Sequence, residues 1–462
     1  MIKPGDVELL LLTLFGAVCM ALFLVLASRV RVVVWMLWGA CLVPLFLLGR
    51  NYAMVGVHPV FVPDFCAVLA LLATIGVWGR RAFSETRLRG FRAVALLLAV
   101  VTVSAVYRGL TAAHPDPLKG AILGLYPLWG WFAATWLLTR PEKELTRWRW
   151  VLYVPAAGVI LAHVFDIPLT PGASGLYLAI TGAFAVQSHR LGDSRPLVWT
   201  LVGAAVLTAF GSKRGALLAV VAALVATTIA SRSSRGSLPR KPVISWVLVV
   251  VAAVGVLGLA MTNQHLSGAP VVGGLVSRVE ASTNDPDSES ANNVEIRFAM
   301  WREALDAVSE EPFLGAGAGR PLDVVFQGSQ LDKSKSGPHN SFVGYIYYLG
   351  WPAGAAMILI TAVALRRTWR ERHHLAAASW FGATVGVCVT AFTNVALETT
   401  FMGLPSWLVI ACAYARVGVP RGEETVRRDA SGPMVRRDGG QGKTLAAARR
   451  PLPASPVART WV

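Results

Sequence analysis

The sequence predicts an all-α, polytopic transmembrane helical bundle of about 12–13 spans, with one long external loop that contains an amphipathic helix. Three observations point there. Charged residues make up 15% of the 462 positions, against roughly 25% in ordinary globular proteins. Hydrophobic residues make up 55%, with mean hydropathy +0.55. The apolar residues also fall in long runs separated by charged punctuation, and so few charges would not cover the surface of a soluble fold.

A bilayer is crossed by about 20 apolar residues as a helix, and otherwise only by closed barrels. Thirteen candidate spans follow in order: 7–27, 32–49, 61–79, 92–107, 120–138, 150–166, 173–187, 196–211, 214–230, 243–262, 341–365, 375–393 and 401–416. The first follows Asp6 and Glu8 without a basic lead-in, so it is expected to be a retained span and not a cleaved signal peptide. Alternate loops, from Arg29/Arg31 through Arg80–Arg92, Arg140–Arg149, Arg190/Arg195 and Arg232–Lys241 to Arg366–Arg372, hold 21 lysines and arginines, against 6 in the opposite short loops. The positive-inside rule then makes the rich set cytoplasmic, with the N-terminus outside and the C-terminus inside.

The organisation expected is N-terminal spans over 1–195, a core over 196–365 that includes the external loop 263–340, C-terminal spans over 366–416, and a basic tail over 417–462. The tail's 9 lysines and arginines against 4 acids would favour an anionic leaflet, and its composition predicts disorder. The loops and tail account for the net charge of +17, so membrane lipids and not nucleic acid are the expected partners of that charge. Cys19, Cys41, Cys66, Cys388 and Cys412 all lie in apolar runs, at no metal-ligand spacing; neither disulfide nor zinc is expected, and no cofactor is implied.

Chemistry concentrates around the external loop. Gly211-Ser212-Lys213-Arg214-Gly215 sets two positive charges where a span begins, either for function or to snorkel to lipid phosphates. Asn292-Asn293-Val294-Glu295 resembles a capping box with Asn292 as N-cap. The stripe Val294, Phe298, Trp301, Leu305, Val308 then predicts a helix lying on the bundle and ending at Glu311-Pro312. Arg297 flanks that stripe and would face the protein, or else pair with an acid such as Glu303. The glycines of Phe313-Leu314-Gly315-Ala316-Gly317-Ala318-Gly319 either let backbone approach a ligand or make a tight irregular turn. At Gly337-Pro338-His339-Asn340-Ser341 a histidine can exchange a proton near neutral pH and its neighbour can orient a hydroxyl, although a solvated interfacial histidine would look the same. Asn284–Glu289 reads as a solvated loop that could hold a cation weakly. By topology Arg214, Arg297 and His339 share the outer face; two guanidinium forks and an imidazole in one cavity would suit pyrophosphate binding and deprotonation of an alcohol.

From about Gly211 to Leu365 these residues resemble the O-antigen ligase and O-antigen polymerase superfamily of bacterial membrane glycosyltransferases. The resemblance rests on Ser212-Lys213-Arg214-Gly215 opening a span and Arg297 with Trp301 four residues on. It continues with Pro312-Phe313-Leu314-Gly315-Ala316-Gly317, and with Pro338-His339-Asn340 leading into a span with Gly350. It implies an inverting, metal-independent enzyme whose donor is an undecaprenyl-pyrophosphate-linked glycan and whose acceptor is a glycan or lipid. His339, Arg297 and Arg214 are then the catalytic candidates, and Lys213, Trp301, Gly315, Gly317 and Asn340 the substrate-binding ones. A transporter or flippase for lipid-linked or polar substrates is the competing reading; it would put charges near the bilayer midplane, where this sequence has almost none.

Overall fold

The structure is a computed structural model. It describes residues 31–48, 60–114, 117–139, 148–165, 170–210, 214–232, 289–326 and 337–419, with a few isolated positions between them. Among these residues the architecture is all-α apart from two-residue ladders, β1 (Gly56–Val57) with β2 (Val60–Phe61) and β3 (Val325–Phe326) with β4 (Ser329–Gln330). The helices are α1 (Arg31–Leu48), α2 (Val62–Ser84), α3 (Arg89–Thr111), α4 (Ile122–Leu138), α5 (Val154–Val164), α6 (Pro171–Arg190) and α7 (Arg195–Phe210). They continue with α8 (Arg214–Ser231), α9 (Glu289–Glu310), α10 (Ser341–Leu349), α11 (Trp351–Arg370), α12 (Leu375–Thr393) and α13 (Thr400–Ala415). Three stretches, Val62–Ser84, Thr86–Thr111 and Leu375–Thr393, are long and apolar enough to cross a membrane by length and composition, and six shorter apolar helices accompany them. The chain is a membrane protein.

Ten of the expected spans each become one helix. Those at 7–27 and 243–262 lie outside the described residues, as do the tail beyond Val419 and all of 284–289 except Glu289. The run 341–365 is not one span: Gly350 adopts φ 85°, and the chain breaks into α10 and α11 there. A left-handed residue cannot continue a right-handed helix, so an unbroken apolar run conceals a turn.

Packing follows the small residues. The closest trio is α6, α8 and α12. A Cβ at Gly175 would sit 2.6 Å from the Ala216 methyl, and one at Gly386 would sit 2.9 Å from the Ala179 methyl. Helices in lipid associate through this kind of close backbone approach, since apolar burial alone gains little there. α4 is buried nearly all round. Its Trp129 and Trp136 rings lie 4.5 and 5.6 Å from Trp38 of α1, whose indole N–H donates to Thr74 Oγ1 at 3.1 Å.

Described arginines of the rich connections gather at one end of the bundle, Arg190 beside Arg232 and Arg367 on the Arg87 carbonyl. Ser379 Oγ donates to Gln187 Oε1 at 3.0 Å, tying the last turn of α6 to the first of α12. Nearby Arg367 lies 3.9 Å over the Tyr414 ring, its Nη1 donates to the carbonyls of Arg87 and Tyr414, and Arg416 pairs with Glu371. The opposite ends of α6 and α12 form the other face.

Candidate active site

On that other face four elements converge on the connection between α12 and α13. Arg297 of α9 donates through Nη1 to the Thr393 carbonyl at 3.0 Å. That carbonyl is at the C-terminus of α12, the negative end of its dipole, so a guanidinium is well matched to it. The half-buried side chain has no carboxylate partner among the described residues, and the pairing with Glu303 considered from sequence is not formed. Burial pulls its pKa below the usual guanidinium value. The expectation that Arg297 faces the protein holds in geometry.

α8 starts at the same place. A Cβ on Gly215 would lie 3.1 Å from Thr393 Oγ1, so Arg214, the first residue of the helix, is brought to this connection by its backbone. Its side chain, like the whole of Lys213, lies outside the described residues. The start of α6 closes a third side, with Gly172 3.4 Å (measured from an ideal Cβ) from Asn394 Nδ2.

The fourth element is the His339 turn. Trp301, one helical turn after Arg297, donates from its indole N–H to the Pro338 carbonyl at 2.6 Å. Its ring sits between Phe298 at 5.1 Å and Phe392 at 5.4 Å. His339 is half-buried and has φ 48°, a left-handed conformation that a non-glycine residue adopts at a cost of about 1–2 kcal/mol. Asn340, 2% exposed, caps α10: Oδ1 accepts from the Phe342 and Val343 amides at 3.0 and 3.3 Å. Ser341 Oγ accepts from the Leu397 amide at 2.9 Å and donates to the Asn394 carbonyl at 3.3 Å. Asn340 therefore orients the turn by capping it, and its Oδ1 is committed to backbone.

Two sequence expectations about α9 are corrected. The helix begins at Glu289, so Asn292 lies inside it and is not the N-cap; Glu289, Ser290 and Ala291 tolerate helical backbone, and an acid in the first turn favours it. The face it buries is Met300, Ala304 and Val308, with Ile296 and Trp301 beside them, whereas Phe298 and Leu305 of the expected stripe are exposed at 57% and 36%. Periodicity locates an apolar arc, and the alanine at 304 moved its centre.

Gly315 and Gly317 are not brought to this cluster. Gly315 (φ 68°) packs against the far end of α10: a Cβ there would be 2.5 Å from the Gly350 amide and 2.6 Å from the Tyr347 carbonyl. The Gly315 carbonyl accepts from Arg108 Nη1 at 2.8 Å, Leu314 O accepts from Nη2, and Glu311 pairs with Nη1 at 2.9 Å. The Ala318 amide donates to Ala105 O at 3.0 Å. The glycine run is thus the tight turn that fixes the external loop to α3. Because α10 has one end at Asn394 and Leu397 and the other here, it lies across the face of the bundle.

Sequence reasoning overlooked the receiving side, Thr393, Asn394 and Glu398. The available signal was Glu398, the single acid between Glu371 and Glu423. Its Oε1 is shielded from solvent and has no hydrogen-bond partner among the described residues, and burial raises its pKa to about 8.

A guanidinium, the start of an arginine-bearing helix and a histidine in a braced turn thus meet at one bundle face, and of these the imidazole is the group able to exchange protons near neutral pH. The family model described as O-Antigen ligase matches residues 197–358, which include α8, α9 and the His339 turn but not Thr393–Glu398. A curated relative, the O-antigen ligase of Pseudomonas aeruginosa, is 24% identical over 302 residues, covering 62% of this chain. The match spans 63% of the length of that relative, less than two thirds. Over residues 197–358 the chain is therefore similar to the O-antigen ligase family, the resemblance its own motifs carry.

Proposed function

We propose that this chain is an integral membrane glycosyltransferase that transfers or polymerises an undecaprenyl-pyrophosphate-linked glycan on the outer face of the cytoplasmic membrane, in surface-polysaccharide assembly of the O-antigen type. The observation that carries the reading is the convergence of Arg297, the first residue of α8 and the His339 turn on Thr393–Asn394. The outer side is assigned because the described arginines of the rich connections lie at the opposite end.

In this reading His339 takes the proton from an acceptor hydroxyl, whose oxygen attacks the anomeric carbon. The bond from that carbon to the phosphate oxygen breaks, and its electron pair leaves on the pyrophosphate. Arg297 and Arg214 oppose the growing negative charge, which removes the need for a metal at the leaving group. A single displacement of this kind inverts the anomeric centre. Lys213 would add charge beside Arg214, and Trp301 and Asn340 hold the histidine. A transporter would put charged residues near the bilayer midplane, where this sequence has almost none.

The test is complementation of a deletion strain. His339→Ala and Arg297→Ala should each abolish polymer on gels while leaving the chain inserted in the membrane. Full-length polymer in both strains would overturn the assignment. Arg214→Lys should also lose most activity, because a point charge does not replace a bidentate fork at phosphate.

A further inference from the structure

Glu398 stands outside the matched residues and outside the chemistry above, yet it touches the element that carries His339. A Cβ on Gly344 would fall 2.6 Å from Glu398 Cδ and 2.8 Å from Oε2, with Oε1 closer still, so the carboxyl lies flat on the Gly344 backbone and only glycine admits it there. Gly344 is one turn after Asn340, to whose carbonyl its amide donates at 2.8 Å. From the same connection the Leu397 amide and Asn394 carbonyl bind Ser341 Oγ. The 394–398 segment therefore grips the first turn of α10 at two points, one through a hydroxyl and one through this acid.

We propose that Glu398 is a positioning residue that works as a neutral acid: seated on Gly344, it clamps the first turn of α10, and so His339, to the α12–α13 connection, and its ionisation releases that turn. This rests on the reading of His339 as the proton acceptor. Among the described residues, the charged and titratable groups around it offer a carboxylate no compensation. Tyr345 and Tyr348 of α10 face it, with phenols that burial holds above their ordinary value. Tyr345 Oη is already engaged, donating to the Leu123 carbonyl and accepting from the Trp407 indole. Arg297 is bonded to Thr393, and no ion pair reaches Glu398 among the described residues. An acid whose pKa is about 8 in the fold against 4.5 ordinarily is protonated in the folded chain and ionised in the unfolded one between those values. Stability is therefore greatest at low pH and is lost as pH rises through this window, fully so above about 8.

The experiment uses the full chain in phospholipid nanodiscs, with lipid-linked glycan extracted from a deletion strain as donor. Transfer by the natural chain should fall about tenfold per pH unit above about pH 8, and its thermal midpoint should fall from about pH 5 to about pH 8 and level off above that. Glu398→Gln should stay within about threefold of the natural chain at pH 7 and be flat in both measures to pH 9.5. A Gln variant with the natural pH profile, or one inactive at every pH, overturns the inference; the second result would make Glu398 a proton-transfer group. Gly344→Ala should lose at least about tenfold, and adding Glu398→Ala should recover part of it; no recovery also overturns the contact. The thermal comparison needs no turnover. If the natural chain transfers nothing at any pH yet shows the glutamate-dependent midpoint, the transferase reading fails and the clamp stands.

Discussion

Trp301→Phe isolates one hydrogen bond at the centre of the site. The indole N–H to Pro338 carbonyl bond, 2.6 Å, is the contact by which α9 holds the His339 turn. Phenylalanine keeps a ring beside Phe298 and Phe392 and deletes only the donor. A neutral hydrogen bond contributes about 1 kcal/mol net, and a carbonyl left buried without its donor costs about 1–3 kcal/mol. The left-handed backbone at His339 pulls the other way by about 1–2 kcal/mol, so the bond is of the size needed to hold the turn. Loss of about 1–2 kcal/mol of positioning gives a fall of roughly 5- to 30-fold in kcat, with KM for the donor unchanged. Trp301→Ala loses the ring as well and should fall further, with destabilisation of about 3–5 kcal/mol. The assay is transfer of lipid-linked glycan by the purified chain at saturating donor. A Phe variant within twofold of the natural chain, or one as damaged as the Ala variant, would refute the idea that α9 acts through this bond.

Other outcomes are expected from the far end of α10. Gly315→Ala combines a positive φ with a Cβ 2.5 Å from the Gly350 amide, and should yield no folded chain by size-exclusion chromatography of a fluorescent fusion; a normal peak would contradict the packing. Arg108→Ala removes the donor to Leu314 O, Gly315 O and Glu311, and should lower the thermal midpoint by the equivalent of about 2–4 kcal/mol. Arg108→Lys should restore only part, because one ammonium cannot span three acceptors. Activity per folded molecule should survive both changes, since the staple is remote from His339.

The helices were legible because apolar length is a property of consecutive residues, and the sorting of charge to two ends was legible because positive loops alternate. Arg297 could be placed on the protein-facing side of α9 for the same local reason. What it would bind could not: its acceptor is the backbone carbonyl of Thr393, 96 residues on, and a carbonyl has no signature in sequence. The break at Gly350 hid for a different cause. Hydropathy registers that residues 341–365 are apolar and is blind to the sign of φ. The glycine run could be read two ways in sequence, since the conformational freedom that admits a ligand equally admits the backbone of Tyr347 and Gly350. Glu398 was open to notice as a lone acid between apolar runs, but its meaning depends on Gly344 lying beneath it.

The hub at Thr393–Asn394 has a consequence for biosynthesis. Every group gathered there is translated before it, so a ribosome that has finished α9 and α11 has still made no docking point for Arg297 or Ser341. A nascent chain halted after Arg370 would hold its histidine by the Trp301 bond alone, and enzymatic competence would arrive in one late step as the closing helical hairpin enters the bilayer.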